Sequence, residues 1–499
     1  MRLIHQGFLR PLGALMAGAV LVLAFAPWQW AWLAPLALWS LLFLLRDQDP
    51  RRAFGIGYAF GLGQFGFGVS WVFVSIHEHG NAGLSLALLL TGLLIGFLAL
   101  FPALVTAVTA WLGGRAPGRA LWVFPAAWVA GEWIRTWIFT GFPWLAVGYT
   151  QTDGPLAGFA PLFGVLGLGA LLVGTAASLE FLRTARGRWR LGVLLALVFL
   201  WAAGFALRFH AWTQPAGPAV AVALVQGNIP QEDKWDQNRA DQILQRYREL
   251  TEPLLGTPII VWPEAALPQV YHELAGTYLT RLQIAAAAAG SEIVLGLLRF
   301  DPERRVYLNS VLALGLDRQF YDKRHLVPFG EYFPVPDFVR HQMQVLDMPY
   351  SDLGAGEAQP ELLRLQGGLP VATFICYEAV FGREVIRDLP AAQLLVNVSN
   401  DAWFGRSFAP YQHFQIAQMR AVETGRDLLR ATNTGITALV DATGRVQDQL
   451  PPFEVGVLRG EVVPRTGATP YVRWGDWPVL VWMVVSLALA AGFRKRGAS

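Results

Sequence analysis

The chain of 499 residues has a single cysteine and few charged residues. One thiol cannot form a disulfide within the chain, so an internal structural disulfide is excluded. Charged residues make up 15% of the sequence and hydrophobic residues 54%, whereas a typical soluble domain has about 25% charged residues. Most of this chain is therefore not expected to face water. A formal net charge of +3 over this length gives no electrostatic basis for a nucleic-acid partner.

Long apolar runs dominate the first 210 residues, and one more lies near the end of the chain. Most of them approach the ~20 residues that span a hydrocarbon core. We predict eight transmembrane helices, at about 9–26, 28–45, 53–76, 82–112, 119–138, 157–182, 190–210 and 477–493. The first run resembles a signal peptide, but further spans follow at once and no small-residue cleavage site precedes Trp28, so we expect it to be retained. Within the fifth run, Glu132 and Arg135 are expected to pair or to face the helix bundle, because an isolated charge there is costly.

The connections between these runs alternate in charge. Arginines collect in every second connection, whereas the others, at 26–27, 76–81 and 139–155, contain neither lysine nor arginine. The positive-inside rule then predicts that both chain ends are cytoplasmic. Seven spans before residue 211 place the stretch that follows on the far side, which in a bacterium is the periplasmic side of the inner membrane. We predict spans 1–7 at 1–212, a periplasmic domain at 213–475, and span 8 with a cytoplasmic tail at 476–499.

Short apolar strands alternate with helices between the seventh and eighth spans. This alternation predicts an α/β domain with a layered sheet core. The predicted strands are 219–225, 258–262, 293–298, 310–316, 372–375 and 394–398, and the predicted helices are 238–252, 273–289 and 411–424. The proline-rich segment 327–363 has little periodicity, and we interpret it as a lid over an apolar substrate that is mobile without substrate. The alternative is an irregular insertion packed against the domain.

Three predicted strand ends carry reactive side chains: Glu264, Lys323 and Cys376. Taken singly, Glu264 and Lys323 have a simpler explanation as a surface ion pair, and Cys376 as a small buried hydrophobic residue. Together they supply a base, a cation and a nucleophile, which is the set that acyl transfer requires.

The motifs around these residues resemble those of the nitrilase, or carbon–nitrogen hydrolase, superfamily. They are Trp-Pro-Glu at 262–264, Asp-Lys-Arg-His-Leu-Val-Pro-Phe-Gly-Glu at 322–331, and Cys-Tyr-Glu at 376–378. The eight-span frame, Gln-Gly-Asn-Ile-Pro-Gln at 226–231 and Lys-Trp at 234–235 are similar to one membrane-bound branch, the apolipoprotein N-acyltransferases. This resemblance implies a multi-span α-helical membrane protein with an inserted αββα sandwich and a Glu264–Lys323–Cys376 triad.

The resemblance also implies supporting residues. Trp235 would contact substrate or shape the entrance, Glu331 would position substrate or support the triad lysine, and Tyr377 and Glu378 match functional positions of the family. Simpler roles are an interfacial anchor for Trp235, core packing for Tyr377 and a helix N-terminal acid for Glu378. Asn309, just before a predicted strand, is not included among the candidates.

The implied reaction transfers a fatty acyl chain. Cys376, deprotonated by Glu264, would take the chain from a membrane phospholipid, expected to be phosphatidylethanolamine, and hold it as a thioester while Lys323 stabilises the oxyanion. The acceptor would be the α-amine of the S-diacylglyceryl cysteine at the N-terminus of an apolipoprotein. We expect Lys323 to lower the pKa of the Cys376 thiol, and we expect the enzyme to be a monomer.

Two other functions are considered. A membrane-anchored carbon–nitrogen hydrolase, an amidase or nitrilase, would use the same triad for hydrolysis, although one span would suffice to tether it. A transporter or lipid-binding scaffold with an inactive hydrolase domain would have no need to keep all three triad residues. His77 and His79 lie in a short outside connection, where facing water and headgroups is the commoner role. Because neither a phosphate-binding glycine loop nor a metal cluster is evident, we predict no cofactor and no metal.

Overall fold

The computed structural model describes residues 2–80, 82–114, 117–332, 352–358 and 361–496. The chain divides into two compact units. The first comprises Met1–Phe73, Leu84–His210 and Arg473–Ser499, and the second comprises Val74–Gly83 and Ala211–Val472. The second unit therefore includes, besides the predicted α/β region, a short segment that the sequence places in a connection between spans.

The first unit is helical. Its long helices are Arg2–Val22, Leu33–Leu44, Pro50–Gly68, Leu84–Gly113, Pro117–Arg135, Ala160–Thr184, Gly187–Leu207 and Trp477–Arg496. By length and apolar composition, four of the described helices can cross a membrane, or five if the bent pair Pro50–Gly68 and Val72–His79 forms one span. The apolar helices at the first two predicted spans, Leu9–Val22 and Leu33–Leu44, are shorter. The count of eight spans therefore stays a prediction.

Glu132 and Arg135 pair in the interior of this unit, as predicted. Both side chains are buried, and Nη2 of Arg135 lies 3.8 Å from Oε1 of Glu132. The same carboxylate oxygen accepts hydrogen bonds from Nε1 of Trp128 at 2.9 Å and from the backbone N–H of Val147 at 2.8 Å. These contacts offset the cost of burying the two charges among apolar helices.

The second unit contains two six-stranded sheets and a small strand pair in its described residues. The strands are β1 (Gln214–Pro215), β2 (Val220–Gln226), β3 (Ile259–Val261), β4 (Glu292–Asp301), β5 (Val306–Leu314), β6 (Arg318–Asp322), β7 (Leu363–Leu365), β8 (Leu369–Ile375), β9 (Leu394–Ser399), β10 (Leu428–Thr432), β11 (Ala438–Val440), β12 (Val446–Gln449), β13 (Gly456–Val462) and β14 (Arg465–Thr466). One sheet has the order β13-β2-β3-β4-β5-β6 and the other β12-β11-β10-β9-β8-β7. Within them, β2-β3-β4 and β8-β9-β10 run parallel, so their carboxyl ends meet at a common edge of each sheet.

The two sheets pack face to face between helical layers. Alternate residues of β3 and β8, such as Val261 and Ile375, lie in one buried cluster with side chains of both sheets. The opposite face of the first sheet, including Ile260 and Trp262, packs against helices, and the second sheet does the same. This arrangement follows from the two-residue period of strands whose two faces are both buried. The predicted α/β sandwich is therefore confirmed as an αββα fold. Its described helices are Ala240–Thr251, Tyr271–Leu274, Tyr278–Ala288, Gly382–Val385, Ala409–Thr424 and Pro470–Trp474.

The predicted strands all overlap observed strands, and one predicted helix has the wrong bounds. The stretch 273–289 contains the end of the helix Tyr271–Leu274 and all of the helix Tyr278–Ala288, because Thr277 has non-helical backbone angles (φ −121°, ψ −86°) between them. Strands β1, β7 and β10 to β14 were not predicted, because most of them are short and mix polar with apolar residues. Much of the predicted lid, at 333–351 and 359–360, lies outside the described residues.

Candidate active site

The strand ends of both sheets converge on one buried site. Glu264 follows β3 and Lys323 follows β6 in the first sheet, while Cys376 follows β8 in the second. Non-glycine residues with left-handed backbone occur at two of the parallel strand ends, Ala265 (φ +43°) and Cys376 (φ +49°). Such strained positions cluster at functional sites, where the surrounding structure holds them.

Glu264 is buried and both of its carboxylate oxygens accept hydrogen bonds. Oε1 accepts from Nδ2 of Asn309 at 2.7 Å and lies 3.5 Å from Nζ of Lys323. Oε2 accepts from the backbone N–H of Asn400, which follows β9, at 2.7 Å. The carboxylate therefore connects the edges of the two sheets and is held in one orientation.

Lys323 is 1% exposed and lies between two carboxylates. Its Nζ donates to Oε1 of Glu331 at 2.7 Å, closer than its 3.5 Å contact with Glu264. Burial alone lowers the pKa of Lys323, but the charges of Glu331 and Glu264 outweigh that effect and raise the pKa above its ordinary value. The lysine is accordingly a permanent cation at neutral pH.

Cys376 lies at the end of β8 and is 9% exposed. Burial raises the pKa of its thiol, and the nearby Glu264 carboxylate raises it further, which together outweigh the lowering by Lys323. The expectation that Lys323 makes this thiol unusually acidic is therefore wrong. The resting nucleophile is a neutral thiol that needs a base, and the charge of Glu264 acts directly on it.

Glu331 and Glu378 both support the loop that carries Lys323. Besides its contact with the lysine, Glu331 accepts the backbone N–H of Val327 through Oε2 at 2.8 Å. Glu378 is 1% exposed; it accepts the backbone N–H of Arg324 at 2.7 Å and that of Ile375, directly before the cysteine, at 2.7 Å. Glu378 thus ties the segment after Lys323 to the strand that ends at the nucleophile.

Tyr377 and Trp235 pack against apolar side chains near this site. The Tyr377 ring lies edge-on to Phe381, with ring centroids 5.2 Å apart, and it is 8% exposed. Trp235 is partly buried against Leu298, Leu326 and other members of a small apolar cluster. The contacts described for these two rings are packing contacts, so a direct role with substrate stays a prediction.

A second buried network lies beneath the cysteine and was not predicted. Nε2 of His413 lies 3.1 Å from the carbonyl oxygen of Cys376, and Nδ1 lies 2.8 Å from Oδ1 of Asp401. Asp401 also accepts the hydroxyl of Ser399 at 2.8 Å and Nη2 of Arg430 at 3.1 Å. Burial alone raises the pKa of Asp401, but His413 and Arg430 outweigh it and lower that pKa to about 2.

The same cluster has the residue types of a metal site. Possible ligand atoms of Cys376, Asp401 and His413 lie within 4.8 Å of one another. The Asp401 carboxylate and the His413 imidazole, however, already have hydrogen-bond partners, and the Arg430 guanidinium forms an ion pair with the carboxylate. A buried arginine at this position repels a metal cation, so we interpret the cluster as a support for the nucleophile.

Sequence reasoning also missed the roles of Asn309, Asn400 and Lys234. Nδ2 of Asn309 lies 2.7 Å from Glu264 and 3.2 Å from Glu331, so one amide bridges both carboxylates. Nζ of Lys234 donates to the backbone carbonyl of Glu264 at 3.2 Å. Available signals were the position of Asn400 two residues after a predicted strand and the place of Lys234 in a family motif.

His77 and His79 belong to the second unit. Nδ1 of His77 lies 2.8 Å from the carbonyl oxygen of Ala82, and the His79 ring lies edge-on to Trp403 with centroids 5.7 Å apart. Ser75 in the same segment donates to the carbonyl of Trp403 at 2.8 Å. These contacts account for the segment as a packed part of the α/β unit.

Two family models match the chain. The apolipoprotein N-acyltransferase N-terminal domain matches residues 17–178, and the carbon–nitrogen hydrolase domain matches residues 221–471. Solved structures similar to the second part include a carbon–nitrogen hydrolase superfamily protein from Xanthomonas campestris, which is 19% identical. The match covers 49% of this chain and 91% of that chain, with a TM-score of 0.38. A nitrilase superfamily member from Saccharomyces cerevisiae has 17% identity, coverage of 50% and 91%, and a TM-score of 0.38.

Relatives match over nearly the full length. An apolipoprotein N-acyltransferase from Methylococcus capsulatus is 44% identical over 493 residues, covering 97% of this chain and 96% of that protein. One from Chromobacterium violaceum is 42% identical over 491 residues, covering 97% and 94%. One from Vibrio cholerae is 40% identical over 502 residues, covering 97% and 96%. The chain belongs to the apolipoprotein N-acyltransferase family, whose α/β part is a carbon–nitrogen hydrolase domain.

Proposed function

We propose that this protein transfers a fatty acyl chain from a membrane phospholipid to the α-amine of the N-terminal S-diacylglyceryl cysteine of apolipoproteins. Cys376 is the nucleophile, Glu264 the general base and Lys323 the oxyanion cation. The observation that carries the assignment is the convergence of these three groups at adjoining strand ends, with Lys323 3.5 Å from Glu264 and both charges acting on the cysteine.

The first half-reaction begins with a neutral thiol. Glu264 takes the proton of Cys376 as Sγ attacks the ester carbonyl of the phospholipid. Lys323 and the backbone N–H of Tyr377 stabilise the oxyanion of the tetrahedral intermediate. The C–O bond then breaks, the proton passes from Glu264 to the leaving oxygen, and lysophospholipid departs from the thioester.

In the second half-reaction, the α-amine of the apolipoprotein attacks the thioester carbonyl. The C–N bond forms, the C–S bond breaks, and Cys376 regains a proton. A buried site favours this outcome over hydrolysis, because the thioester is reactive toward amines and burial limits the access of water. Glu331 would hold Lys323 in place, Glu378 would hold the loop that carries it, and Tyr377 and Trp235 would contact or guide substrate.

We also propose the setting of this reaction. Eight spans would place 213–475 in the periplasm of a bacterium, with both termini in the cytoplasm, which agrees with the arginine-rich alternate connections. Phosphatidylethanolamine is the proposed donor, and the enzyme is proposed to act as a monomer without cofactor.

The test is to incubate the purified protein in detergent with phospholipid alone and to measure its intact mass. We expect the wild type to gain one acyl group and Cys376→Ala to gain none. A diacylglyceryl lipopeptide should discharge the adduct, whereas water should not. An adduct that persists with lipopeptide would contradict the assignment.

A membrane-anchored carbon–nitrogen hydrolase is the second candidate, because the triad is the same. It predicts release of free fatty acid whether or not an amine acceptor is present. Release of free fatty acid without formation of acylated lipopeptide would favour the hydrolase.

A further inference from the structure

Lysine is almost absent from this chain, and its positions are informative. Of 39 lysine and arginine residues, only Lys234, Lys323 and Lys495 are lysine. Arginine supplies the positive charge everywhere else, including the predicted cytoplasmic connections. The α/β unit has two lysines, and the structure brings both of them to Glu264. Arginine keeps its proton under all ordinary conditions, whereas the pKa of a buried lysine shifts readily with its surroundings, so the choice of lysine has a chemical consequence.

Lys234 lies between β2 and the helix Ala240–Thr251 and is 2% exposed. Its Nζ donates to the backbone carbonyl of Glu264 at 3.2 Å, which is the only hydrogen bond of this group within the described ranges. An ammonium has three protons to donate. Two of them therefore have no acceptor among the described residues, and the group lies close enough to Glu264 for the charge of that carboxylate to act on it.

The two buried lysines have opposite environments. Lys323 contacts two carboxylates and stays charged. Lys234 contacts no carboxylate oxygen among the described residues. Burial therefore dominates and lowers the pKa of Lys234 to about 8, although the charge of Glu264 partly offsets this lowering. Glu264, from the loop after β3, and Cys376, from the turn after β8, are the titratable groups near Lys234, and of these only Glu264 is charged in the resting site. Lys234 thus exists in both amine and ammonium forms near neutral pH.

The second half-reaction has one more proton to remove than the first. An N-terminal α-amine has a pKa of about 8 and is mostly an ammonium at pH 7. An ammonium loses two protons when it becomes an amide nitrogen. The Cys376 thiolate, released when the C–S bond breaks, takes up only one of them. Glu264 can carry that one, as in the first half-reaction. The other proton needs a second acceptor.

We propose that Lys234, as the neutral amine, is the general base that accepts the first proton of the incoming α-ammonium. This inference rests on the proposed function. The N–H proton moves to Nζ of Lys234, and the freed lone pair forms the C–N bond with the thioester carbonyl. The C–S bond breaks, the second proton passes through Glu264 to Sγ of Cys376, and Lys234 releases its proton to water.

A purely structural role is the competing explanation, because Lys234 also holds the backbone of Glu264. The two roles differ in which acceptor they affect. Hydroxylamine is largely unprotonated at neutral pH, so it discharges a thioester without a first deprotonation. A loss of base should slow discharge by an α-ammonium lipopeptide, while a displaced Glu264 should slow both acceptors.

The experiment compares discharge of the preformed acyl-enzyme by diacylglyceryl lipopeptide and by hydroxylamine, followed by intact mass. The variants are Lys234→Arg, which cannot lose its proton, and Lys234→Met, which has no proton to exchange. The control is Lys495→Arg, the same substitution at the one lysine outside the α/β unit. General-base catalysis typically contributes about 10²–10⁴-fold, so we expect lipopeptide discharge at pH 7 to slow at least tenfold more than hydroxylamine discharge.

The pH dependence supplies a second readout. The deficit of both variants should shrink as the pH rises above about 8, because the lipopeptide amine then arrives deprotonated. Equal slowing of both acceptors would overturn the proposal in favour of a structural role, and unchanged lipopeptide discharge would overturn it outright. A wild type that forms no thioester would instead refute the proposed function, which is a distinguishable result.

Discussion

Nζ of Lys323 lies 2.7 Å from Oε1 of Glu331, so the lysine of the proposed triad makes its shortest ion pair with a residue outside the triad. The same glutamate holds the backbone of Val327 through its other oxygen. Glu331 therefore fixes both the charge and the position of the lysine. We expect its loss to weaken the stabilisation of the oxyanion by Lys323.

Glu331→Gln should slow acyl-enzyme formation by about 10²-fold, the typical cost of weakening one oxyanion contact. The amide can accept from the lysine or from Val327, but its NH₂ group then faces the other donor. The rate is measured from the growth of the acylated mass. Glu252→Gln is the matched control, since this side chain is 64% exposed; equal rates in the two variants would contradict the proposed role of Glu331.

The reactivity of Cys376 should respond to Glu264 in an unusual direction. The pKa of the thiol is raised by burial and by the Glu264 carboxylate, so alkylation by iodoacetamide at pH 7 should be slower than that of a free cysteine. Glu264→Gln removes one cause of the raised pKa and should accelerate alkylation severalfold while abolishing acyl transfer. Lys323→Met should slow alkylation. Because the chain has one cysteine, intact mass reports it directly, and slower alkylation in Glu264→Gln would show that the carboxylate does not raise the thiol pKa.

The sequence predicts the groups that follow strands and misses those that the sheets bring together. Glu264, Lys323 and Cys376 follow short apolar runs and lie in motifs, so both pattern and resemblance point to them. Asn309 is inside β5, and its bridge to two carboxylates depends on the pairing of β5 with β4 and β6. Such register-dependent contacts have no local signature in a single sequence.

The network under the cysteine was missed for a related reason. His413 lies within the helix Ala409–Thr424, which is buried along its whole length, so no amphipathic pattern singles the histidine out. The direction of the thiol pKa shift was predicted wrongly, because it depends on whether burial and Glu264, which raise the pKa, outweigh Lys323, which lowers it. Only the packed structure gives that comparison.

Asp401 should contribute stability that depends on pH. Its pKa is about 2 in the folded protein, because His413 and Arg430 outweigh the effect of burial, and about 3.9 when unfolded. The stabilisation is thus fully present above about pH 4 and is lost as the pH falls toward 2; a shift of this size corresponds to about 2–3 kcal/mol.

Asp401→Asn should accordingly lower the Tm of the purified protein at pH 7 by roughly 5–10 °C. Thermal unfolding followed by tryptophan fluorescence from pH 7 to pH 3 measures the difference, which should shrink at the acidic end. Asp448→Asn, at an exposed position, is the control. A deficit that stays constant with pH would mean that the Asp401 charge is not its source.

Asn309 should be required as a hydrogen-bond donor to the two carboxylates. Asn309→Ala removes the donor and should slow acyl-enzyme formation about tenfold, in line with the ~1–3 kcal/mol cost of an unsatisfied buried group. Asn309→Asp adds a third carboxylate and should be slower still. Its rate should partly recover as the pH is lowered from 8 to 6, because a protonated carboxyl regains a donor. Equal rates for the two variants at every pH would refute this role.

Gly296 should be required because the backbone that carries Glu264 passes directly over it. A Cβ at this position would lie 2.6 Å from Cα of Glu264, and also 2.6 Å from the carbonyl oxygen of Pro263 and the nitrogen of Ala265. These are backbone atoms, which cannot turn away as a flexible side chain can. The strand β4 or the Glu264 loop must therefore move, at a cost of about 1–3 kcal/mol for overpacking.

Gly296→Ala should consequently lower the acylation rate more than tenfold, since displacement of a catalytic group by ~1 Å can cost about 10²-fold. The carboxylate would shift away from the backbone N–H of Asn400, its 2.7 Å partner in the other sheet. Gly217→Ala, where a Cβ meets nothing within 4 Å, is the matched control. Acylation kinetics and Tm are measured together. A variant with lower Tm and an unchanged acylation rate would show that the movement occurs in β4 and leaves Glu264 in place.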